Sequence, residues 1–129
     1  MSTPASGTLD ELLGRLRPEV ADLVVAVDEL LHRTDPDVVR VVCPHQRTIG
    51  YGVGPKKMSE HYAYIAVHPR HINLGCNYGA HLDDGGLLEG SGQNMRRMTV
   101  RTVHALEDPR VVLTLRAARQ ERLAALGRA

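Results

Sequence analysis

The strongest constraint on this chain is a change in its hydrophobic period. Residues 61–68 (HYAYIAVH) alternate, with His61, Ala63, Ile65 and Val67 on one side and Tyr62, Tyr64, Ala66 and His68 on the other. Residues 71–78 (HINLGCNY) alternate as well, with Ile72, Leu74, Cys76 and Tyr78 against His71, Asn73, Gly75 and Asn77. Only Pro69-Arg70 separates the two runs, so they predict an antiparallel hairpin. Upstream the period is helical. Thr8 and Glu11 form a capping-box pattern before Leu9, Leu12, Leu13 and Leu16. Pro18 ends that short helix and opens a second, to about residue 33, with Val20, Leu23, Val24, Val27, Leu30 and Leu31 as its apolar stripe.

Residues 38–43 and 48–53 read as further strands, the second weakened by Gly50 and Gly52. Residues 79–94 are rich in loop formers. Residues 95–103 alternate again, with Met98, Val100 and Thr102 opposite Arg97, Thr99, Arg101 and Val103. Asp108-Pro109 starts a last helix, carried by Val111, Val112, Leu115, Ala118 and Leu123 to about residue 126. The expected fold is therefore α+β: an antiparallel sheet with N-terminal helices and a C-terminal helix packed on it. One domain is expected over residues 8–126, preceded by a disordered leader at residues 1–7.

Composition narrows the function classes. The chain has four tyrosines and neither phenylalanine nor tryptophan, so its core must come from Val, Leu, Ala and Ile. That excludes RNA readers that stack bases on several aromatics. The net charge is +1, which argues against a general polyanion binder. Residues 1–37 nevertheless carry a net charge of −5 and residues 93–129 a net +5, so the two ends are expected to pack together and pair charges. Cys43 and Cys76 lie in separate apolar runs, in neither a zinc-ribbon nor a disulfide pattern. No basic-apolar leader and no membrane-length apolar run is present, so the expectation is a cytoplasmic protein with no membrane partner.

Several residues invite chemistry. Residues 85–92 are glycine-rich but match neither the Walker nor the dinucleotide fingerprint. The backbone amides of Gly90, Ser91 and Gly92, with Arg96 and Arg97 just beyond, would suit a small anion. His68 and His71 flank the hairpin turn and Asp83-Asp84 follow, a weak set of metal candidates. No nucleophile–base pair stands out: Ser91 is not in a GxSxG context, and Cys43 and His45, either side of Pro44, are not expected to hydrogen-bond directly. Tyr51, Tyr62, Tyr64 and Tyr78 all fall in the strand region, where tyrosine's apolar body and polar tip suit a half-wet cleft.

The run from His61 to Arg101 carries Tyr64-Ile65-Ala66, His71-Ile72-Asn73-Leu74-Gly75, Gly79-Ala80, Leu82-Asp83, Gly86-Leu87-Leu88-Glu89-Gly90-Ser91-Gly92 and Met95-Arg96. In these motifs it resembles the YdhG-like domain-of-unknown-function family of small bacterial proteins, and the resemblance extends over about residues 8–125. It implies an α+β domain with an antiparallel sheet. Most members have no assigned activity, and some have been likened to frataxin and proposed as iron chaperones. An iron cofactor would then fall to an acidic helix face, here Asp10, Glu11, Glu19, Asp22, Asp28 and Glu29. The chain departs from the family pattern at Gly54, which precedes Pro55, and at Leu82-Asp83, where a proline is usual.

These observations lead to a non-catalytic domain that binds a small, anionic ligand. Its expected ligand-binding residues are Tyr51, Tyr62, Tyr64, Gly90, Ser91, Gly92, Arg96 and Arg97. The alternatives are a frataxin-like iron-binding protein and a protein-interaction module or homodimer. A nucleic-acid partner is not expected.

Overall fold

The computed structural model describes residues 7–128. The leader expected at residues 1–7 thus lies outside the described residues, except Gly7, whose amide donates to the Val42 carbonyl (2.8 Å).

Helix α1, Leu9–Leu13, opens with both arms of the Thr8–Glu11 capping box and buries Leu12 completely. Helix α2, Pro18–Thr34, starts on the proline and buries Val20, Leu23, Val24, Val27, Leu30 and Leu31 along one stripe. Strands β1 (Val39–Cys43), β2 (Thr48–Gly52), β3 (His61–Val67), β4 (Ile72–Cys76) and β5 (Arg96–Val100) follow. Short 3₁₀ turns at Gly79–His81 and Val103–Glu107 lead into β5 and out of it. Helix α3, Pro109–Ala125, is capped by Asp108, whose side chain accepts from the Arg110 amide.

The sheet is a meander in the order β1-β2-β3-β4-β5, with every neighbouring pair antiparallel. All three helices lie on one face. There Val42, Ile49, Ile65, Ile72, Leu74, Met98 and Val100 pack against the helical stripes, Leu115 and Ala118 among them. Residues this apolar and this completely buried supply the main driving force for the fold, at roughly 25 cal/mol per Å² of apolar surface removed from water. Both sheet edges are partly covered. Gly7 bridges to β1, and Glu89 exchanges two backbone hydrogen bonds with Arg97 on β5 (2.7 and 2.8 Å).

One irregularity corrects the strict alternation expected for β3. Tyr51 pairs with Ala63, but the next pair is Gly52 with His61, so Tyr62 is an extra residue with no opposite number. Such a bulge re-aims the side chains around it. Tyr62 turns toward the helices, and His61 turns to the other face with Tyr64 and Ala66.

The two inward tyrosines meet carboxylates on α2. The Tyr51 hydroxyl donates to Asp28 Oδ1 (2.8 Å), and the Tyr62 hydroxyl donates to Asp35 Oδ2 (2.8 Å). Asp28 also accepts from Arg40 of β1 (2.9 and 3.1 Å). Asp35 lies 3.1 Å from Arg119 of α3. These contacts hold α2 in one register over the sheet. The Asp35–Arg119 contact is also the one ion pair among the described residues that joins the acidic N-terminal third to the basic C-terminal third. The two ends do pack together, but most of the opposite charge at each is not matched directly. No helix among the described residues is long and apolar enough to cross a membrane.

Candidate functional site

The uncovered sheet face is built around two glycines. Gly50, Tyr64, Gly75 and Arg97 stand side by side across β2, β3, β4 and β5. The Tyr64 ring occupies the space where a Cβ on Gly75 would lie, and the His61 imidazole does the same over Gly50. Glycine is needed at both positions because two rings approach the backbone this closely.

Beside these rings lies a groove of about 190 Å³, lined by Ala66 and Met95 on the apolar side and by His61, Asn77 and Lys57 on the polar side. His61 is 2% exposed, and its Nε2 has no hydrogen-bond partner among the described residues. Asn77 Oδ1, in the same groove, is likewise buried without a partner. Burial, reinforced by the Lys57 charge, pushes the His61 pKa below the ordinary histidine value and outweighs the opposing effect of Glu60. The imidazole is therefore neutral at neutral pH and offers one donor and one acceptor. Burial raises the Tyr64 pKa more than the Arg97 charge lowers it, so its hydroxyl stays protonated. A buried polar atom left unpaired costs about 1–3 kcal/mol, so two in one groove are a costly arrangement unless something pairs with them.

A second hollow of about 210 Å³ continues the groove, sharing Lys57, Asn77 and Met95 and adding Met58, Tyr78 and Asn94. Together the two reach the lower end of the ~300–1,000 Å³ range of small-molecule clefts. Met58 and Met95 are exposed on the rim, where flexible thioether side chains adapt to a ligand's shape.

Both walls are tied down. The Glu60 carboxylate fills the space left by Gly54. It accepts from the Lys56 amide (3.0 Å) and pairs with Arg128 (2.9 Å). The Lys56 amide is the main reason its pKa sits below the ordinary carboxylate value. Arg122 of α3 donates to the Ser59 carbonyl (3.1 Å) and lies 3.4 Å over the Tyr78 ring. The Tyr78 hydroxyl in turn donates to the Met58 carbonyl (2.6 Å). Across the groove, Asn94 is held by the Ala80 amide and by His81 Nε2, each at 2.9 Å.

Of the residues expected to form a binding surface, Tyr64 lies in the groove and Arg97 ends its row of the sheet. Tyr51 and Tyr62 do not belong to it. They are 0% and 1% exposed, with their hydroxyls committed to Asp28 and Asp35. Burial pushes both their pKa values well up, with the neighbouring carboxylates adding to it. Gly90, Ser91 and Gly92 are exposed on the loop before β5 and do not line the groove, and Gly90 has a left-handed φ of 140°. Arg96 turns back on that loop and donates to the Gly92 and Met95 carbonyls (2.6 and 2.7 Å). It braces the loop, so the expected anion cradle is not assembled there.

The metal candidates are also spread apart. His68 and His71 stack ring on ring at 4.7 Å. Asp83 accepts from the Gly85 amide, and Asp84 from Gly86 and Leu88, as turn-forming side chains do. Among the described residues no three His, Cys, Asp or Glu side chains come together as a metal site. Of the acidic helix face, Asp28 is buried and Glu11 is used in a cap. Cys43 and Cys76 are both buried. Burial pushes the Cys76 thiol up to about 12, which makes it a packing group.

Sequence reading missed His61, Asn77, Lys57 and Met95. The signal that could have found them was the pair of strand glycines, Gly50 and Gly75, which mark where side chains lie flat on the sheet. No family model matches this chain, and neither does any curated protein or solved structure.

Proposed function

We propose that this chain is a small-ligand-binding domain whose site is the groove on the uncovered sheet face. The observation that carries this reading is the pair of buried, unpartnered polar atoms, His61 Nε2 and Asn77 Oδ1, on two residues that line the same groove. A fitting ligand is compact and flat enough to lie against the Tyr64 and His61 rings. It offers a hydrogen-bond donor to Asn77 Oδ1 and carries an anionic group toward Lys57. An aromatic or heteroaromatic acid has this chemistry. The resemblance of residues 61–101 to the YdhG-like family belongs to the same proposal and brings no substrate with it.

The test is a titration of isotope-labelled protein with a panel of aromatic carboxylic acids, followed by amide NMR. Binding should move the amides of Gly50, His61, Tyr64, Asn77 and Met95 and saturate. Ala66→Phe, which fills the groove from a half-exposed position, should abolish it, and so should Asn77→Leu. Hits that bind Ala66→Phe as well as the parent protein would assign the ligand to another surface.

A further inference from the structure

We propose that a second pocket, separate from the groove, binds the phosphate group of a small phosphorylated molecule. This pocket, about 170 Å³, lies where the segment between α1 and α2 meets the turns at the ends of two hairpins. Arg15 and Arg17 come from the first, Arg47 from the β1–β2 turn, and His68 from the β3–β4 turn. No carboxylate lines it. None of its three arginines forms an ion pair among the described residues, so their charge is not already neutralised by a carboxylate. Three exposed arginines and no carboxylate around one small hollow leave it with a positive charge that an anion would neutralise.

The helix beside them adds to the field. Arg17 occupies the N-cap of α2, where Ser, Asp or Asn would ordinarily accept from the first amides, and it makes no side-chain cap. The positive end of a 17-residue helix therefore adjoins the pocket without a side-chain acceptor of its own. Glu19, in that first turn, is exposed and does not line the pocket. Guanidinium forks match phosphate oxygens in pairs, and three of them more than neutralise a phosphate dianion. The volume is below the ~300 Å³ of clefts that hold whole small molecules, so it suits a phosphate with a short stem. Leu16, Val20 and Pro69 provide an apolar surface for that stem.

The test titrates labelled protein with inorganic phosphate and with glycerol 3-phosphate, at ionic strength held constant with sodium chloride. Saturable amide shifts are expected at Arg15, Leu16, Arg17, Glu19, Val20, Arg47 and His68, with the ester binding more tightly than the inorganic ion. Arg15→Gln and Arg47→Gln should each weaken binding about tenfold, the loss of one charge-assisted contact. Arg116→Gln, on the exposed side of α3, should change nothing. If Arg47→Gln folds poorly, Arg47→Gly supplies the same charge deletion on a backbone that suits glycine. Shifts that do not saturate, that spread over the other arginines, or that sodium chloride alone reproduces would overturn the proposal, as would unchanged affinity in the variants. The groove-filling Ala66→Phe should leave the phosphate response intact, since the two sites share no lining residue.

Discussion

Gly75→Ala tests the construction of the groove most directly. Gly75 is buried within β4, and a Cβ there would collide with the ring and hydroxyl of Tyr64. Forcing an extra methyl into a packed position costs roughly 1–3 kcal/mol. Replacing a strand glycine returns roughly 0.5–1 kcal/mol of unfolded-state entropy. The net expectation is a loss of about 0.5–2 kcal/mol. In a Tyr64→Ala background the collision disappears and only the entropy gain remains, so the same substitution should then stabilise the protein by up to about 1 kcal/mol. The coupling between the two positions is thus about 1–3 kcal/mol, well above what additive sites show. Urea unfolding of the parent, both single variants and the double variant measures it. If Gly75→Ala costs the same with and without Tyr64, the ring does not sit on that glycine, and the platform for the ligand is wrongly placed.

Other outcomes follow from the same contacts. Tyr62→Phe removes a buried hydrogen bond to a carboxylate and should cost about 1.5–3 kcal/mol in urea unfolding without altering ligand response at the groove. A loss under ~0.5 kcal/mol would mean that the hydroxyl does not pin α2. Burial depresses the folded-state pKa of His61, and burial with the His68 charge depresses that of His71. Below the unfolded value of about 6.5 the unfolded chain then binds more protons than the folded one. Stability should therefore fall as the pH drops from about 6.5 through the folded values, and His61→Phe should flatten that slope in urea midpoints taken across the range. Arg47 holds a left-handed φ of 55°, a conformation that costs an L-residue roughly 1–2 kcal/mol. Arg47→Gly should therefore leave the protein as stable as the parent or up to ~1 kcal/mol more so, as thermal unfolding would show.

Much of the architecture was legible along the chain because it rests on local patterns. The capping box at Thr8, the proline starts of α2 and α3, the leucine and valine stripes and the alternation through β4 and β5 each depend on residues a few positions apart. These patterns alone determined the element order, the antiparallel sheet and the apolar identity of Cys43 and Cys76. The site was not legible in the same way, because its parity depends on one unpaired residue. With Tyr62 bulged out of register, Tyr62 faces the helices and His61 faces the groove, the reverse of what alternation implies. Tyr51 and Tyr62 carry the sequence signature of a cleft, yet Asp28 and Asp35 reach them across 23 and 27 residues of chain. The groove itself comes together from two strands and the turns and loop around them. Which polar atoms end there without a partner is settled only when every other segment has taken its place.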